Sequence, residues 1–164
     1  MKTKRVKKFK LEPIANPLDF LLLGIQTPLK GFRLAYVINQ QLTLQLRRND
    51  VNLITKVNDF ESQFVTFDYF DEEKELSWSL IHNTYKSLHL DKNPFDLFHT
   101  EPFYSSRIDY LLPEEKTSNF ILKITDISTL ELEKIAKEIR KIYNIELVKT
   151  LDITNLKNIK RLIF

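Results

Sequence analysis

Ile108-Asp109-Tyr110-Leu111-Leu112-Pro113-Glu114-Glu115-Lys116-Thr117-Ser118-Asn119-Phe120-Ile121-Leu122-Lys123-Ile124 carries the main architectural signal of this chain. It reads as an apolar strand, a polar turn opened by proline, and a second strand with Phe120, Leu122 and Ile124 on one face. Period-two alternation beside a break is the mark of a strand, and Pro113 has no amide with which to continue a ladder. Nothing in the stretch sets out a recognisable reaction.

Downstream, Ser128 and Glu131 have capping-box spacing, and Ile127 is placed to staple onto Leu132. Leu132, Ile135, Ala136, Ile139 and Ile142 then recur at helical spacing, while Glu133 precedes Lys137 by four residues, the favourable polarity for an ion pair. The spacing predicts a helix over 128–143. Ile145 to Lys149 follows as a strand, which makes 119–149 a strand–helix–strand unit. Leu162-Ile163-Phe164 is expected as a last short strand or a docked end.

Upstream, Val65, Phe67 and Tyr69 alternate along one strand, and Leu76, Trp78 and Leu80 along its partner. Asp71-Glu72-Glu73-Lys74 makes the turn, and its charges discourage edge-to-edge pairing. Trp78 is expected to be buried. Residues 18–25 are almost continuously apolar, as in a strand covered on both faces. Thr27 and Pro28 resemble an N-cap and first helical position for a helix over 28–42. A short strand over 42–46 and a polar loop over 49–61 come next. Residues 86–106, with Pro94 and Pro102, are expected to be irregular. Their aromatics Phe95, Phe98, Phe103 and Tyr104 either cap the core or meet a partner.

The resulting fold class is α+β: a mixed or mostly antiparallel sheet of about five to seven strands with two main helices packed on it. Residues 1–17 form a basic N-terminal arm, and 18–164 a single globular domain.

Leu112-Pro113-Glu114, followed by Ser118-Asn119-Phe120, resembles the hallmark of the uncharacterised bacterial IPExxxVDY family. Pro113 and Glu114 match it, Leu112 and Phe120 are conservative replacements, and Ser118 and Asn119 depart from it. A second block is similar to that family in the same order: Asp19-Phe20, Leu22, Gly24-Ile25, Phe32-Arg33-Leu34-Ala35-Tyr36, Asn39, Leu46 and Arg48. The resemblance covers most of 17–125 and implies no activity. The motif residues Asp19, Gly24, Arg33, Asn39, Arg48, Pro113 and Glu114 read as structural.

The formal net charge of +3 invites a nucleic-acid reading, but its distribution weakens it. Residues 1–10 hold six cations (Lys2, Lys4, Arg5, Lys7, Lys8, Lys10) and no acid. The other 154 residues hold 19 cations against 22 acids. Positive charge is therefore a property of the arm. No cysteine is present, which excludes disulfides, thiolate chemistry and cysteine-built zinc sites. No apolar run approaches the roughly 20 residues of a membrane helix, and the N-terminus lacks the apolar core of a signal peptide. A cytoplasmic location without membrane contact is expected.

With only Gly24 and Gly31, neither a phosphate-binding loop nor a dinucleotide fingerprint can be built. His82, His89 and His99 lack the spacing of a helical metal pair. No metal, cofactor or catalytic residue is assigned. Glu114 and Glu115, with Asp109 nearby, form a candidate carboxylate group, though a carboxylate after a turn proline more simply accepts backbone N–H bonds. Asp19 and Arg33 are expected as a buried ion pair.

The functional expectation is a small, non-enzymatic interaction or scaffolding domain with an unidentified protein partner or a second copy of itself. One alternative is an RNA-associated protein that contacts phosphates through the arm. Another is an enzyme with an unrecognised carboxylate site.

Overall fold

The computed structural model describes residues 18–91 and 103–164. Its centre is a six-stranded sheet built from β1 (Phe20–Gln26), β2 (Arg47–Arg48), β5 (Thr66–Asp71), β6 (Leu76–His82), β9 (Phe120–Thr125) and β10 (Leu147–Leu151). The order is β10-β1-β9-β6-β5-β2, and every neighbouring pair is antiparallel. Because β1 lies antiparallel to both β9 and β10, those two strands run parallel with β1 between them. The strand–helix–strand unit expected over 119–149 is thus a crossover that skips one strand.

Alternation divides the sheet into two faces. Leu23, Leu122, Leu80 and Phe67 form one straight row across β1, β9, β6 and β5. The helices α1 (Gly31–Leu42) and α2 (Thr129–Arg140) cover this face with Leu34, Ala35, Ile38, Leu132, Ala136 and Ile139, and Trp78 is buried in the same cluster as expected. On the other face the corresponding row reads Leu151, Leu22, Lys123, Ser79 and Asp68. Its apolar end is packed by Leu111 and Leu112, by Val57 and Phe64, and by Leu156 and Leu162 from the C-terminal segment. A sheet with two apolar faces needs two covers, and the second comes from irregular chain and a hairpin.

The α2 capping box forms: the Ser128 side chain accepts from the Glu131 amide, and Glu131 accepts from the Ser128 amide. Four expectations are corrected. Helix α1 begins at Gly31, because Thr27 Oγ1 is committed to Asn144 O at 2.6 Å and accepts only from Leu29 N, which makes a local turn. The strand expected over 42–46 is absent: Thr43 caps α1 at φ 55° and Leu44 N is tied back to Asn39 O, so pairing starts only at Arg47. The loop expected over 49–61 is instead a hairpin of β3 (Leu53–Val57) and β4 (Phe60–Phe64). Much of the irregular segment over 86–106 is a second hairpin, β7 (Thr84–Asp91) with β8 (Phe103–Tyr110). The C-terminus is a docked end, a 3-10 turn over Ile159–Leu162 that buries Leu162.

Candidate functional site

The Leu112-Pro113-Glu114 turn is assembled around a residue far from it in sequence. Asn83, fully buried between β6 and β7, donates through Nδ2 to Glu115 O at 3.0 Å and Ser118 O at 2.9 Å, and accepts from Leu112 N at 2.9 Å. Its own N–H and C=O meet Asn119 O and Leu111 N. Buried amides must be satisfied, and here one side chain satisfies both sides of a turn. Asn119 continues the network: its Oδ1 accepts from Thr27 N and its Nδ2 donates to Thr27 O.

Pro113 opens the 3-10 turn, and Glu114 leaves it for the C-terminal segment. Glu114 Oε1 accepts from Lys157 N at 2.8 Å, Asn158 N at 3.1 Å and Asn158 Nδ2 at 2.8 Å. Partial burial raises its pKa, but hydrogen bonds from the backbone and from Asn158 outweigh this and hold the carboxyl below the ordinary value. Such a group stays ionised near neutrality, the opposite of what a general acid needs. The amides that meet this carboxylate are those of Lys157 and Asn158 in the C-terminal segment and, within the turn, its own.

The candidate carboxylates do not converge. Glu115 pairs with Lys149 at 2.5 Å, without hydrogen-bond alignment. Asp109 is buried beneath Arg107 at 2.7 Å and Ser62 Oγ at 2.7 Å, locking the two peripheral hairpins together. Asp19 and Arg33 are both exposed and form no buried pair, which corrects that expectation: Asp19 sits on a bend before β1, and Arg33 lies over the Tyr36 ring at 5.5 Å.

The other motif residues make local contacts. Gly24 faces Ser118 so closely that a Cβ would lie 2.4 Å from Ser118 Oγ. Asn39 clamps Leu46 by both backbone groups, at 2.8 and 3.0 Å. Arg48 donates to Asn49 O and Asn52 Oδ1. Of the aromatics singled out in sequence, Phe103 and Tyr104 fall in β8 opposite Asp91 and Leu90, while Phe95 and Phe98 lie outside the described residues. The arm with Lys2, Lys4, Arg5, Lys7, Lys8 and Lys10, and its RNA reading, also lies outside them. His82 Nδ1 contacts Thr84 O at 2.8 Å and the ring packs edge-on to Phe120. Among the described residues no cluster of three or more His, Asp or Glu is placed to hold a metal, and no helix is long and apolar enough to cross a membrane.

Two features escaped the sequence reading. Lys123, only 6% exposed on a central strand, donates to Leu162 O at 2.7 Å and lies between the rings of Phe164 (4.0 Å) and Phe20 (4.9 Å). Burial pushes its pKa down, against the opposing effect of Asp68. A lysine inside an apolar strand is the available signal. The other feature is α1, whose sequence Gly31-Phe-Arg-Leu-Ala-Tyr-Val-Ile-Asn-Gln-Gln-Leu42 contains no acid. Leu34, Ala35 and Ile38 are buried, whereas Phe32 (66% exposed), Arg33 and Tyr36 (50%) face out. Beside them runs a groove of about 410 Å³ between α1 and the 141–144 segment that follows α2, lined by Leu29, Arg33, Val37, Gln41, Lys141 and Tyr143.

No protein-family model, curated protein or solved structure matches the chain.

Proposed function

We propose that this chain is a non-enzymatic interaction domain that docks an acidic surface of a partner protein on α1. The observation that carries this is the exposed Phe32 and Tyr36, one helical turn apart, with Arg33 between them and no carboxylate on the helix. Aromatics and arginine are the residues enriched at protein interfaces and their hot spots. Lys30 adds a cation at the helix start, while Lys141, across the groove, is already paired with Glu138 at 2.6 Å. Two copies meeting through this face would set Arg33 and Lys30 against their own counterparts, so charge favours an unlike, acidic partner over a homodimer here.

The test is a photo-crosslinking residue at position 36 of the full chain in its native cell. A discrete adduct with another protein, lost in Arg33→Glu and absent when the probe sits at Lys86 on β7, is the expected result. No adduct, an adduct indifferent to Arg33→Glu, or an adduct of two copies of this chain would overturn the reading.

A further inference from the structure

The sheet has an unfinished edge at β5. Strand β2 pairs with it only through Arg47↔Asp68 and Arg48↔Phe67. Asn49 N donates to Thr66 O at 3.0 Å on this side, while Val65 O is turned inward to His82 N. By alternation, the N–H and C=O of Thr66, Asp68 and Phe70 all point toward β2. Extending the register would bring Gln45 opposite Phe70. The chain cannot reach that position, because Leu44 N is held by Asn39 O and Leu46 by the Asn39 side chain.

The gap is a cleft of about 730 Å³ between 42–47 and 68–74. Its lining holds Asp68, Asp71, Glu72 and Glu73 against Arg47 and Lys74, a net charge of −2. Glu72 and Glu73 are exposed, and Phe70, 55% exposed, stands at the edge. Asp68 is engaged from within the fold, by Asn49 Nδ2 and by the charge of Lys123, so the acids open to a partner are those of the turn.

We infer that β5 accepts a lysine- or arginine-rich extended segment of a partner protein as an added strand, paired to Phe70 and held by the acids of the 71–75 turn. Backbone pairing supplies affinity in strand addition, and flanking side chains supply selectivity. The acids act in two directions. A second copy of β5 would bring the same carboxylates to the edge, so they oppose edge-to-edge dimerisation and favour a basic strand. The cleft meets only the last residue of α1, Leu42, and is separate from the exposed Phe32 and Tyr36 face.

The experiment uses the full chain and two short capped peptides, one alternating lysine with valine and one alternating glutamate with valine. Amide hydrogen exchange and binding are measured together. With the lysine peptide at ten times its Kd, exchange at the Phe70 amide should slow by about tenfold. The glutamate peptide should give no protection. Glu72→Lys combined with Glu73→Lys should weaken lysine-peptide binding by about tenfold, and Arg33→Glu on α1 should leave it unchanged. Equal protection by both peptides, protection confined to the opposite edge strand β10, or no binding by the lysine peptide would each overturn the inference.

Discussion

At the scale of single residues, Asn83 carries more of the fold than its composition class suggests. Replacing it with Ala leaves Leu112 N and the Glu115 and Ser118 carbonyls without their partner in a buried site. Each lost buried partner costs about 1–3 kcal/mol, so a loss of about 3 kcal/mol or more is expected from urea unfolding. Asn83→Asp should be at least as damaging at neutral pH, since it turns an acceptor toward two carbonyls. Glu114 makes a milder, pH-dependent contribution. Its folded pKa is lowered, so the stability it adds is present above the ordinary carboxylate value of about 4.3 and is lost as pH falls through the folded pKa. Glu114→Gln should therefore lower stability by about 1 kcal/mol at pH 7, and the gap between the two proteins should close as pH falls from the ordinary carboxylate value through the lowered folded pKa. A constant gap at every pH would mean that the charge is not what the 157–158 amides hold.

Secondary-structure elements were legible where burial follows the period, and illegible where polar chemistry interrupts it. Strands β5, β6 and β9 alternate in sequence because their inward residues are apolar, and α2 announces itself through Ser128 and Glu131. Hairpin β3–β4 looks like a loop in sequence because its inward positions include Ser62, buried for its bond to Asp109, while Ile54 and Phe60 are half-exposed. Its turn was nonetheless written in the chain: Asn58 and Asp59 take φ of 50° and 66°, the left-handed pair of a two-residue hairpin turn. Strand β8 inverts the usual order, with Asp109 in and Ile108 out. Of the candidate site, the carboxylates and basic arm could be seen, whereas Asn83 and the α1 surface depend on which residues the fold leaves buried or bare. The contact between β1 and the central turn can be tested directly. Gly24→Ala drives a methyl group into Ser118 and should cost about 1–3 kcal/mol, with much of it recovered when Ser118→Gly is added. Full additivity of the two changes in thermal unfolding would show that these elements do not meet as described.

Across the whole molecule, Lys123 links the middle of the sheet to the segment that covers its second face. Its ammonium is desolvated, and it binds the backbone of Leu162 between Phe20 and Phe164. Because burial lowers its folded pKa, the unfolded chain binds the proton more tightly between that pKa and the ordinary lysine value of about 10.4. Stability from this group therefore rises with pH across that window and falls as pH drops back through it. Lys123→Met removes the titration and keeps the length of the side chain, at the cost of the bond to Leu162 O. Its unfolding free energy relative to wild type should decline as pH rises through the lowered folded pKa toward the ordinary lysine value, since only wild type gains from losing the proton. Paired chemical-denaturation curves at a series of pH values make the comparison, because every other group is common to both proteins and cancels in the difference. Parallel behaviour of the two proteins over that range would place Lys123 in water, and with it detach the C-terminal segment from the face that it is seen to cover.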